Sequence, residues 1–273
     1  MSSITPSSFV KEYGPWSVSK ANTAKECPYK FYLTYVEKRK EGRLTNPDAL
    51  VGNAVHSILE YMLTGRSWPM AFEGVVDEYS LTSNEIERVA SMQFAVLDFI
   101  ERLAVSKRKF NIKQTQVEQK LAVDIDGNKV GFFNNEKGFL RGVIDLALIA
   151  KDPVVILIDH KTGKVRDISY YRRQFEVYMI LAKALNPHIT RAKYGVHYLQ
   201  ESDTFFAKGT EDISDITPLM EGITKFLNDC TVDTHNFKET RKSRLCDWCD
   251  HRAHCPAYKG SDSDHGKQKV IQQ

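Results

Sequence analysis

The spacing of apolar residues divides the chain into a helical first part and a strand-rich middle. In DALVGNAVHSILEYML, residues 48 to 63, Val51, Val55, Ile58, Leu59 and Met62 recur at the interval that puts them on one helix face. Residues 17 to 37 read as another helix, with Ser17 or Ser19 as N-cap and Pro28 interrupting or restarting it. The pattern from 82 to 107 predicts one long amphipathic helix. After residue 110 the period shortens. QVEQKLAVDI, KVGFF, FLRGVIDLALIA and PVVILIDHK are apolar or alternating runs, with turn signals at Asp126-Gly127-Asn128 and Asn134-Asn135, and they predict a series of strands. Helix returns from about 168 to 185, AKYGVHYLQ (192 to 200) reads as a strand, and a short strand near Phe205 precedes a helix from 214 to 229. The expected fold class is α/β, a central mixed sheet flanked by helices in one integrated domain. Its parts are an N-terminal helical region (1–110), a core of sheet and helices (111–235), a cysteine-bearing segment (236–258) and a flexible polar tail (259–273).

Composition changes this picture little. A chain of 273 residues with 42% hydrophobic content is long enough for a sizeable packed core, and a net charge of +3 permits a nucleic-acid partner without arguing for one. No apolar run reaches the roughly 20 residues that cross a bilayer, and MSSITPSSFVKEYGPW lacks the basic and apolar regions of a signal peptide. The expected location is the cytoplasm, or that of an infected host, with no membrane partner. Five cysteines there do not suggest a disulfide framework.

The chemistry concentrates where VVILIDHKTG ends an apolar strand with charge. Side chains alternate along a strand, so Asp159 and Lys161 share a face while His160 points away. The preceding strand carries Asp145. A hairpin centred on residue 152, in the Asp152-Pro153 turn, sets position 145 opposite 159. Two like charges at the end of a buried strand repel, and a divalent cation with oxygen ligands compensates them. Lys161 on the same face neutralises one charge and positions a water or a phosphate. That set suits metal-assisted hydrolysis. Solvated strand ends with a surface ion pair are the plainer reading of the same residues.

Asp145 followed by Asp159-His160-Lys161 resembles the D…(D/E)xK core of the PD-(D/E)xK nuclease superfamily. Gly52-Asn53-Ala54-Val55-His56 resembles the GxxxH helix of the RecB-type nucleases in that superfamily. Gln174-Phe175-Glu176-Val177-Tyr178 is similar to their QxxxY motif, and Asp159-His160-Lys161-Thr162-Gly163 to their D-aromatic-K-T-G strand end. The matches run in the family's order from about residue 17 to 256, with one departure: Ile144, not proline, precedes Asp145. The resemblance implies a restriction-endonuclease-like core in which His56, Asp145, Asp159 and the His160 backbone carbonyl hold Mg²⁺ or Mn²⁺. It implies that Asp145, Asp159 and Lys161 carry catalysis, with Lys161 orienting the attacking water. Gln174 and Tyr178 are then expected to contact the nucleic-acid backbone or to brace the lysine strand. Histidine in a helix near the core, and two residues four apart on a helix face, are also explained by packing alone.

CDWCDHRAHCP places Cys246, Cys249 and Cys255 together, leaving one vertex of a four-coordinate site to Cys27 in AKECPYKFYLTY; Cys230 is surplus and reads as a buried thiol. Structural zinc is one reading, since His251 and His254 lie inside the run and Cys₃His is an accepted zinc set. The context also resembles the iron–sulfur subset of RecB-type nucleases, which includes the CRISPR-adaptation nucleases. That resemblance implies a [4Fe–4S] cluster on Cys27, Cys246, Cys249 and Cys255, tying the two ends of the chain together.

Basic and aromatic residues interleave in YYRRQFEVY (170 to 178) and YKFYLTYVEKRK (29 to 40), which suits phosphate contacts with bases stacked on rings. There is no G-x-x-x-x-G-K-[ST] loop, so any motor is a separate chain. The expected function is a metal-dependent DNA exonuclease of recombination, repair or phage DNA metabolism. Its partners are single-stranded or duplex DNA ends and a separate helicase or annealing protein. A CRISPR-adaptation spacer-trimming nuclease and a non-catalytic nucleic-acid-binding protein are the alternatives.

Overall fold

A computed structural model describes residues 6–40, 46–201, 203–234 and 236–258; the expected tail, 259–273, lies outside them. The strands are β1 (Ile112–Val123), β2 (Lys129–Val130), β3 (Leu140–Ala150), β4 (Val154–Lys161), β5 (Arg191–Tyr198), β6 (Asp203–Phe206) and β7 (Glu211–Asp212). They form one mixed sheet in the order β2-β1-β3-β4-β5-β6, with β7 on β5. Among the described strands only β4 and β5 pair in parallel, and such a pair needs a crossover connection. The expected mixed α/β sheet is what the chain builds.

The helices are α1 (Pro6–Tyr13), α2 (Val18–Glu26), α3 (Pro28–Phe31), α4 (Pro47–Leu63), α5 (Trp68–Tyr79), α6 (Ser83–Ala90), α7 (Gln93–Lys109), α8 (Arg172–Leu185) and α9 (Thr217–Asp233). They cover both faces of the sheet. One apolar cluster joins Phe9, Trp16 and Phe31 to Leu157 on β4, Phe175 and Leu181 on α8, and Leu227 on α9. The other joins Val55 and Ile58 on α4 to Val75, Val96 and Phe99, and to Leu146, Leu148 and Ile158 on the opposite pleats. Each strand residue thus belongs to a layer by parity, which decides where the acids of β3 and β4 point.

Two readings of the sequence need correction. The long helix over 82 to 107 is two helices, because a capping box at Thr82 and Glu85 starts α6 and the Ser91 hydroxyl, donating to the Arg88 carbonyl, helps turn the chain at Met92. Residues 17 to 37 follow the expected break: Ser17 caps α2, Cys27 is extended, and Pro28 restarts the chain as α3, followed by a π-helical turn over Tyr32–Val36. KVGFF pairs only at Lys129 and Val130, and a turn whose Asn134 amide bonds the Gly131 carbonyl carries Phe132 and Phe133 out of the sheet.

The N-terminal segment is tied to the sheet through a buried lysine. Lys20 Nζ donates to the carbonyls of Tyr13, Gly14 and Pro15 at 2.7, 3.0 and 3.4 Å. It also lies over the rings of Phe9, Trp16 and Tyr35. Trp16 then bridges Leu140 at the start of β3, so Cys27 at the end of α2 is held at a fixed place beside the core.

Candidate active site

The β3–β4 hairpin pairs Leu146 with Ile158 and Ile149 with Val155, a register centred on residue 152. Continued by one step it sets Asp145 against Asp159, but there the backbone ladder stops. The Asp145 carboxylate takes over the pairing: its Oδ2 accepts the His160 N–H at 2.8 Å. Asp145 and Asp159 are buried, 7% and 1% exposed.

Asp159 has the parity of Val155 and Leu157, so it faces α8. Gln174 Nε2 donates to its Oδ1 at 2.6 Å, and the Tyr178 hydroxyl lies 3.2 Å from the same oxygen and 3.5 Å from Asp145 Oδ1. One buried hydroxyl therefore touches both carboxylates, and Tyr178, 4% exposed, braces the acids from within. Lys161, two residues on and on the same face, sets Nζ 2.7 Å from Asp159 Oδ2. That oxygen is buried, and the ammonium is its counter-charge. His160 points to the other layer, where its Nδ1 lies 2.9 Å from Nδ1 of His197 and its ring packs on Phe99.

Burial first, then the neighbouring Asp159 charge, pushes the Asp145 carboxyl up to about 7. For Lys161 burial acts downward, but Asp159 outweighs it and the ammonium is held more firmly than usual.

α4 delivers His56 from the other layer. Its Nε2 lies 3.0 Å from the His160 carbonyl, and its Nδ1 lies 3.5 Å from Asp145 Oδ2 and 3.6 Å from Glu118 Oε1. A carbonyl only accepts, so Nε2 carries the hydrogen and Nδ1 faces the two acids. Burial pulls His56 down, but Glu118, Asp145 and Asp159 outweigh it and raise the imidazole to about 9.

Glu118 was not legible as a site residue. It lies between Val117, paired with Leu146, and Gln119, paired with Ile144, and so faces Asp145 across β1 and β3. Acids from three consecutive strands of the sheet, β1, β3 and β4, thus converge. Its φ of 48° is left-handed, a conformation that costs a residue with a side chain about 1–2 kcal/mol. No signal in the sequence marks it, because the apolar alternation looks intact and only the packing shows the break. Val117 and Leu121 are four apart, yet Val117 packs into the α4 layer and Leu121 into the α8 layer, so the strand turns over between them. Among the described residues, His56, Glu118 and Asp145 are the trio whose metal-ligating atoms gather within 4.8 Å.

The sequence profile of the PD-(D/E)XK nuclease superfamily matches residues 15–256. The chain belongs to the PD-(D/E)XK nuclease superfamily. Among solved structures it is similar to a protein from Eubacterium rectale assigned as an exonuclease, at 15% identity over 94% of this chain and 93% of that one, with a TM-score of 0.49. It is also similar to SSO0001, at 17% identity over 78% and 98% of the two chains, with a TM-score of 0.34. The comparison with curated proteins finds no match. Superfamily membership supports a nuclease function. The donor set of His56, Glu118 and Asp145, carboxylate oxygens with one imidazole, fits the divalent cation typical of PD-(D/E)XK nucleases; Asp159 is not among the atoms gathered within 4.8 Å.

In this PD-(D/E)XK chain Cys27 comes together with Cys246, Cys249 and Cys255 from the other end of the sequence. Cys27, Cys246, Cys249 and Cys255 line one cavity beside Lys30 and His251. Backbone amides of Arg241 and Ser243 donate to the sulfurs of Cys27 and Cys246 at 3.5 and 3.3 Å. Burial pushes the Cys249 thiol up. His251 Nε2 lies 3.0 Å from the Thr34 hydroxyl in the π-helical turn.

Metal binding at the acids has to compete with protons. Asp145 and His56 both hold protons in the folded chain at pH values where the unfolded chain has released them. Chelator-treated protein should therefore lose stability as pH rises from about 4 to 9. Magnesium should raise the melting temperature more at pH 8 than at pH 6; an equal rise at both, read by scanning fluorimetry, contradicts this assignment.

Proposed function

We propose that the chain is a metal-dependent DNA exonuclease whose catalytic residues are Asp145, Asp159 and Lys161. The observation that carries the reading is the buried acid pair on adjacent strands, with the Lys161 ammonium 2.7 Å from Asp159 Oδ2. Asp145, Asp159, His56 and the His160 carbonyl are the proposed ligands, joined by Glu118. When bound, a divalent cation supplies positive charge to the scissile phosphate and acidity to a water.

The side chains divide the remaining work. Lys161, held as an ammonium by Asp159, orients the attacking water and meets charge that builds on the phosphate. Gln174 and Tyr178 fix the Asp159 carboxylate so that its other oxygen stays turned to Lys161. The left-handed backbone of Glu118 aims a third carboxylate at His56. End-directed digestion in recombination, repair or phage DNA metabolism is the activity that the RecB-type motifs suggest.

The four cysteines are proposed to hold a [4Fe–4S] cluster with a structural role. Four thiolates are the usual ligand set of such a cluster, and the shared cavity of the four cysteines supports the reading.

Incubation with end-labelled single- and double-stranded DNA in magnesium or manganese tests the activity. Progressive shortening is expected, with closed circular DNA left intact. Cutting of circles would replace the exonuclease reading, and inertness towards every DNA would end the nuclease one.

A further inference from the structure

The two stretches of interleaved basic and aromatic residues do not fare alike. In the first, Phe31 is buried, Tyr29 and Tyr32 stack on each other, and Tyr32 packs on Phe237. In the second, Arg172 is paired with Glu176 and Glu211, Arg173 with Glu176, and Phe175 and Tyr178 are buried. Tyr170 is the exception, with 65% of its surface exposed. The exposed Arg166 sets its guanidinium 4.5 Å from the centre of that ring.

This pair sits on a fixed frame. The Tyr198 hydroxyl on β5 accepts the Arg166 N–H at 3.0 Å and donates to the Arg166 carbonyl at 2.9 Å. Asp167 accepts the Ser169 N–H through its side chain and the Tyr170 N–H through its carbonyl, closing the turn that presents the ring. The frame also leads to the lysine. Tyr171 stands edge-on to Tyr170, with ring centres 5.1 Å apart, and Lys161 Nζ lies 5.4 Å from the centre of Tyr171.

We infer that Tyr170 and Arg166 form a stacking platform for an unpaired DNA base next to the scissile phosphate, so that the strand entering the site is single. This rests on the nuclease reading above. An exposed ring offers a face to any base, but a duplex keeps its base faces inside the stack and cannot use it. Lys164 and Arg166, both exposed, supply the positive charge that a phosphate backbone meets.

The test reads binding, not cleavage: fluorescence anisotropy of a labelled oligo-dT and of a blunt hairpin duplex, with EDTA present. Tyr170→Ala should weaken oligo-dT binding about tenfold and duplex binding less than twofold, whereas Tyr170→Phe should match the parent. A strand carrying 2-aminopurine should be quenched by the parent and by Tyr170→Phe, and not by Tyr170→Ala. Unchanged oligo-dT affinity, an equal loss on both DNAs, or no oligo-dT binding by the parent would each overturn the platform. Tyr170-dependent binding without any digestion would sink the nuclease reading alone. Normal digestion with Tyr170-independent binding would sink the platform alone.

Discussion

Asp159→Ala protein is expected to bind end-labelled DNA and to shorten it about 10⁴-fold more slowly than the parent, a loss of roughly 5.5 kcal/mol in transition-state stabilisation. Asp159 is where the site's interactions cross. It receives Gln174 and Tyr178, faces the Lys161 ammonium, and repels Asp145. Removing it takes away a proposed ligand and frees Lys161 from its counter-charge. The fold should survive, because the same change relieves the repulsion that helps push Asp145 up. A melting temperature near the parent's, beside lost digestion, separates chemistry from unfolding. Digestion at the parental rate would remove Asp159 from the site.

Cys255→Ser should act on the other half of the molecule and in the opposite way. A cluster joining Cys27 to three residues near 250 closes a loop of most of the chain. The constraint on the unfolded state is on the order of 5 kcal/mol, by analogy with a long disulfide loop. Soluble yield and visible absorbance are expected to fall together. Whatever activity remains in the soluble fraction should have the parent's metal dependence, since the cysteine cavity and the acids share no lining residue. A colourless variant, stable and fully active, would contradict a structural cluster.

The legible parts of the site are those set by short-range rules. The β3–β4 register followed from the Asp152-Pro153 turn and the two-residue period, and the hairpin centred there brings Asp145 and Asp159 to the same level. Gln174 and Tyr178 share a helix face by spacing alone, and both reach Asp159. Glu118 was hidden because its role depends on a left-handed residue inside a strand, which periodicity does not encode. α5, which holds Trp68, Ala71 and Val75 in the core, was missed as well, and so were α1 and the two-residue β7. The helix break at Ser91 turns on one hydroxyl, too small a feature to interrupt an apolar pattern that continues on both sides. The interleaved rings and cations looked alike in sequence; only packing sorts Tyr170 from Phe175.

The central claim is that carboxylates from β1, β3 and β4, with an imidazole from α4, bind a catalytic cation. Crystals soaked in manganese test it most directly, by anomalous scattering from a batch that digests DNA in solution. The account predicts a peak within bonding distance of Asp145, Asp159 and the His160 carbonyl, on the side facing His56 and Glu118. A map with no peak among those groups, from protein that is active with manganese, would contradict it.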